Sequence, residues 1–181
     1  GSDWTNAPFY AERYGVHHTQ DSIDRICQAV NQAAYDDLIF LSHSGPKGLG
    51  NAPEDPCGRD WKPLGGDFGD PDLTAAIAYA KDRGKSVPLV AFGHMHHTLR
   101  HRKDQLRRQA HWDNATLYLN AARVPRWQQQ DGHTQRHFAL VTLQAKQVVH
   151  ACQVWVDDRG SLHPTDSFEP PLALGIRPSL G

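Results

Sequence analysis

Long apolar runs are missing from this chain of 181 residues. Runs such as residues 38–41 span about four positions, far short of the roughly 18 that a membrane helix needs. Neither a membrane span nor a signal peptide is expected. An excess of one charge is missing too. Nineteen basic residues face 20 acidic ones, so nothing pulls the whole molecule toward nucleic acid or an anionic membrane. Cysteine is scarce: Cys27, Cys57 and Cys152 are odd in number, far apart and without a CxxC pair. That excludes a disulfide framework and a thiolate zinc knuckle, and it fits a reducing compartment such as the cytoplasm. Methionine occurs once, at Met95, and the chain opens with Gly1-Ser2. Sequence upstream of residue 1 is therefore expected. No internal repeat is visible.

What the chain does have is histidine. There are 12, and five fall between His94 and His111. With 39% hydrophobic and 22% charged residues, the composition is that of a folded domain large enough for a real core. Ile23, Ile26, Cys27, Val30 and Ala34 recur at helical spacing, which predicts a helix over about 20–34. Residues 37–42 read as a short buried strand running into His43. The segment 44–70 is rich in Gly and Pro, and a loop of that length is functional or disordered. A second helix is expected from Pro71, capped by Asp70, to about Gly84, with Leu73, Ala76, Ile77 and Ala80 on its apolar side. A second apolar strand, 87–92, runs into Gly93-His94-Met95-His96-His97. A polar, basic stretch follows (Arg100, Arg102, Lys103, Arg107, Arg108), then strands near 115–121, 136–144 and 147–156. Residues 160–181 hold four prolines and little periodicity, which reads as an ordered or loose tail. The element order predicts an α/β fold: parallel strands joined by a crossover helix, then an antiparallel C-terminal set.

The histidines fall where ligands bind. His43 follows one strand end and His94 and His96 follow another, and open α/β sheets bind ligands outside the carboxyl ends of their strands. In an extended segment residues i and i+2 point the same way, so His94 and His96 are expected to reach one site while His97 points elsewhere. Gly93 would permit a tight turn before them. Neutral imidazoles suit zinc and iron, which makes His43, His94 and His96 the candidate metal ligands.

Gly93-His94-Met95-His96 resembles the G-H-x-H motif of the calcineurin-like metallophosphoesterases, and Leu41-Ser42-His43-Ser44-Gly45-Pro46 resembles that family's preceding single-histidine motif. Leu117-Tyr118-Leu119-Asn120 resembles the strand that often follows. More narrowly, His43 to Gly50, Asp55 to Gly58, Gly65 to Asp72 and Phe92 to His97 are similar to a subgroup associated with oxygenic photosynthesisers. The resemblance covers about residues 10–156. It implies that residues 1–159 are the C-terminal part of a metallophosphoesterase domain, a partial β-sandwich flanked by helices, with 160–181 as a proline-containing tail. It also implies two divalent ions (Mn, Fe or Zn) in the complete enzyme, His43 and His94 on one and His96 on the other. The reaction would be hydrolysis of a small-molecule phosphoester, in the cytoplasm or a plastid stroma.

The family pattern opens with D-x-H, G-D-x-x-D and G-N-H-[DE], and none of these lies in the 42 residues before His43. The bridging Asp, the Asn ligand and the acid His are thus absent from the chain, and no catalytic residue is assigned. Gly66-Asp67-Phe68-Gly69-Asp70 and Asp131-Gly132-His133 match two of the motifs literally but stand in the wrong order. Asp67 is a candidate for lining the loop near the metals; Asp70 reads as a helix cap. The stretch 100–108 would steer a phosphate-bearing substrate or form a solvated face; with no interleaved aromatics, nucleic acid is not an expected partner. Two other functions stay open: a non-catalytic domain that binds metal, phosphate or a partner, and an amidohydrolase-type metal hydrolase, whose H-x-H comes first in the chain. An exposed sheet edge is expected where further chain would pair, with self-association through it.

Overall fold

The computed structural model describes residues 6–171. Its elements are α1 (Ala7–Tyr14), α2 (Thr19–Gln32), β1 (Asp37–Leu41), α3 (Pro71–Asp82), β2 (Ser86–Phe92), β3 (Ala110–Asp113), β4 (Thr116–Asn120), β5 (Trp127–Gln130), β6 (His133–Gln144), β7 (Gln147–Asp157) and β8 (Leu162–Phe168). The fold is mixed α/β with two four-stranded sheets, ordered β1-β2-β4-β3 and β5-β6-β7-β8. No described helix is long and apolar enough to cross a membrane.

The first sheet is mixed. β1 runs parallel to β2, and β2 parallel to β4, while β3 closes the far edge antiparallel to β4. A parallel neighbour needs a crossover, and α3 supplies it. Pro71 opens that helix, and Leu73, Ala76, Ile77 and Ala80 make its buried stripe. Val30 of α2, Leu73, Ile77 and Ala80 of α3, and Val90 and Phe92 of β2 belong to one core. Alternation along β2 sends Leu89 to the opposite face, where Leu117, Leu119, Val148 and Ala151 make a second core joining the two sheets.

The second sheet is antiparallel throughout. Asp131 and Gly132, at φ 51° and 78°, form the two-residue turn between β5 and β6. Positive φ at both positions is the geometry that matches strand twist, so Asp131-Gly132-His133 is hairpin chemistry rather than a ligand motif.

Residues 162–168, within the expected tail, are ordered: they pair with β7 as the edge strand β8. Pairing rather than apolar alternation makes this strand. Its side chains are mostly exposed, and Pro164 sits beside a register shift at Gln153/Val154, where an edge tolerates it. The rest of that expectation, 172–181, lies outside the described residues. α1 also lacks a buried face, and it ends at Gly15, whose left-handed backbone (φ 61°) returns its N–H to the Ala11 carbonyl at 2.9 Å.

The Gly/Pro-rich loop is ordered by its own backbone. Asp70 N–H bonds the Gly45 carbonyl at 2.8 Å, Gly66 N–H that of Asn51 at 2.8 Å, and Phe68 N–H that of Cys57 at 2.9 Å. Gly45 must be glycine, since a Cβ there would lie 2.5 Å from the Phe92 ring. Asp67 accepts from Gly48 N–H at 2.6 Å and Gly69 N–H at 2.8 Å. It braces the loop instead of lining the histidine site. Asp70 holds the N-cap position of α3 without a side-chain capping bond.

Candidate functional site

His43 and His94 each stand two residues beyond the end of a parallel strand. The ladder continues past those ends: Ser42 N–H bonds the Ala91 carbonyl at 3.1 Å, and Gly93 N–H bonds the His43 carbonyl at 3.0 Å. The strand register therefore delivers the two imidazoles side by side. His43 Nε2 lies 2.9 Å from His94 Nδ1, with ring centroids 4.8 Å apart. One of the two nitrogens carries the shared proton.

The loop after β2 does not run extended. His94 has φ 67°, and Met95 N–H bonds the Gly93 carbonyl at 2.9 Å, closing a three-residue turn centred on His94. The left-handed residue is thus His94 itself and not Gly93. A non-glycine in that region is strained, and such strain collects at functional sites. His94 and His96 share a site because the turn bends them there, not because i and i+2 alternate. His97 is 7% exposed; it turns inward and its Nδ1 accepts the Val124 N–H at 3.3 Å.

His94 and His96 stand between two adjoining clefts. One, of about 450 Å³, adds His43, Leu41, Ala122 and Arg126. The other, of about 440 Å³, adds Trp61, Arg100 and Lys103 over a floor of Asp60 and Arg107. No protein-family model, curated protein or solved structure matches this chain. The functional reading therefore rests on this geometry.

Two buried side chains hold the loop in place. Asn120, 1% exposed at the end of β4, donates to the Met95 carbonyl at 2.8 Å and the Pro56 carbonyl at 3.2 Å. Arg107 donates to the carbonyls of His96 (2.9 Å), Pro53 (3.0 Å), Asp55 (2.8 Å) and Gly58 (2.8 Å). Its remaining nitrogen meets Asp60 at 3.2 Å, with the two side chains 1% and 5% exposed. Asp60 in turn accepts the Arg100 N–H at 2.9 Å. Sequence reasoning quoted Asn120 without a role and missed Asp60 and Arg126; pairings between loops leave no local pattern.

Partial burial holds His94 below the usual histidine range, helped by His43, His96 and Arg100 nearby. A neutral imidazole is the ligand form. Once the proton they share is gone, the paired nitrogens of His43 and His94 would be two donors for one divalent ion. Among the described residues no third His, Cys, Asp or Glu joins them in a metal-binding group. The one carboxylate lining either cleft is Asp60, which Arg107 already engages. A carboxylate to bridge two ions is not among the described cleft residues.

Proposed function

We propose that this chain carries the histidine side of a metal-dependent phosphoester hydrolase, in keeping with its resemblance to the calcineurin-like metallophosphoesterases and a partial β-sandwich of that type. One observation carries the reading: two strand-end histidines, 51 positions apart in sequence, meet at 2.9 Å beside His96. The surroundings favour a phosphoryl group, because the exposed charged side chains lining the clefts are cations: Arg126, Arg100 and Lys103. His43 and His94 would hold one Mn, Fe or Zn ion and His96 a second. Bound there, the metal would supply Lewis acidity and a lowered water pKa. The cations orient the phosphoryl oxygens, and the loop held by Asn120 and Arg107 fixes the imidazoles.

Hydrolysis of bis-p-nitrophenyl phosphate with added Mn²⁺, lost in His94→Ala, is the expected result. Metal retained after desalting without any turnover would refute catalysis by this chain. It would favour a binding domain instead, a reading that the lack of a free carboxylate in the clefts supports. The amidohydrolase reading has no such observation behind it.

A second part of the proposal concerns self-association. β1 ends the first sheet, and Ile39 and Leu41 on it are 50% and 80% exposed. An apolar strand with an open edge is a template for pairing with another chain.

A further inference from the structure

The basic stretch 100–108 sorts into two kinds of cation. Arg102 pairs with Asp104 and Glu54, Arg107 with Asp60, and Arg108 with Asp55. Arg100 and Lys103 have no carboxylate partner among the described residues, and both line the cleft that His94 and His96 border. Each is tethered through groups that leave its charge uncompensated. Arg100 gives its backbone N–H to Asp60 at 2.9 Å and lays its guanidinium 5.5 Å from the Trp61 ring centre. Lys103 Nζ reaches the Leu99 carbonyl at 2.9 Å and keeps its other donors.

A cleft holding two uncompensated cations, with its one carboxylate already ion-paired, attracts an anion. Stacking on an aromatic ring restrains an arginine in advance of binding, so less freedom is lost when a ligand arrives. We infer that Arg100 and Lys103 form an anion subsite beside the histidines, which receives a second anionic group of the ligand, phosphoryl or carboxylate. Its use in selecting substrates rests on the phosphoesterase reading; its existence does not. Phosphoesters that carry a second anionic group are then preferred over simple phosphoesters, since one anionic group lies beside the histidines at Arg126 and the other at Arg100.

The test is calorimetric titration of the whole chain, without metal and at low salt, with pyrophosphate, phosphonoacetate and orthophosphate. The two-headed anions bind about tenfold more tightly than orthophosphate, the scale of one added charge-assisted contact. Arg100→Gln with Lys103→Gln abolishes that preference, and Arg102→Gln keeps it. Preference for pyrophosphate alone identifies the second group as phosphoryl; preference for both anions identifies any acid group. Equal affinities for all three anions, or a preference that survives the double substitution, would overturn the subsite. So would tighter binding of a single-stranded oligonucleotide than of pyrophosphate. Both substituted side chains are exposed, so the fold is retained, which circular dichroism checks. Failure of Mn²⁺-dependent hydrolysis with the preference intact sinks the catalytic reading alone; hydrolysis without the preference sinks the subsite alone.

Discussion

Replacing Arg107 with Met keeps the length of the side chain and removes every polar contact it makes. Four backbone carbonyls lose a donor, and Asp60 is left as a buried, uncompensated carboxylate. Breaking a buried ion pair from one side costs about 3–5 kcal/mol. Some of the orphaned carbonyls will find water when the loop relaxes, so that range is used without adding a further loss for each bond. For a chain of this size the loss corresponds to about 6–20 °C in melting temperature. The assay is urea unfolding followed by far-UV circular dichroism, with Asp60→Leu and the Arg107→Met/Asp60→Leu pair completing a double-mutant cycle. The double variant should be less damaged than the sum of the singles, because neither partner is then left charged and alone. A loss below about 1 kcal/mol in Arg107→Met, or strict additivity across the cycle, would refute the claim that this pair fastens the histidine loop to the Gly/Pro loop.

Burial, with help from Arg123 and His97, pushes His137 down to about 4. In the unfolded chain it returns to about 6.5, so the unfolded state binds more protons between the two values. Its contribution is complete above about pH 6.5, declines as pH falls and levels off below about pH 4; urea midpoints for His137→Phe should show a flatter slope in that window. Ile39→Lys with Leu41→Lys places charge on the open β1 edge and should abolish concentration-dependent association in sedimentation velocity; a wild type that stays monomeric at high concentration would contradict the edge proposal. Gly58→Ala drives a Cβ into the Ala52 carbonyl oxygen and should destabilise the protein by several kcal/mol in thermal melts, whereas Gly132→Asn, in open space with positive φ, should be nearly neutral.

The parts of the fold that announce themselves in sequence are those with a buried face. α2, α3, β1 and β2 carry apolar residues at helical spacing or in short runs, and their observed limits lie close to the expected ones. β5 (Trp-Gln-Gln-Gln) and β8 are held by pairing with a neighbour rather than by their own side chains, so no apolar period marks them. The same division runs through the site. A histidine after each of two apolar strands is visible in the chain, and the parallel register then makes their meeting a consequence. The left-handed backbone at His94 is not visible, because the residue expected to turn is the glycine before it. Nor is the Asp60–Arg107 pair, whose members come from loops 47 residues apart.

Cys57 lies within the Gly/Pro-rich loop, on its buried side. It is 2% exposed, Gly45 sits against its sulfur, and burial first, then the nearby Asp67 charge, pushes its thiol up to about 12. A thiol so placed is silent toward alkylating and disulfide reagents while the loop is down. Its rate of modification therefore counts the moments when the loop lifts. In a chain whose Cys27 and Cys152 have been changed to alanine, that rate becomes a clock for opening of the segment that carries Asp60 and Trp61. An anion seated against Arg100 should slow the clock, which would time the breathing of the cleft wall with no turnover at all.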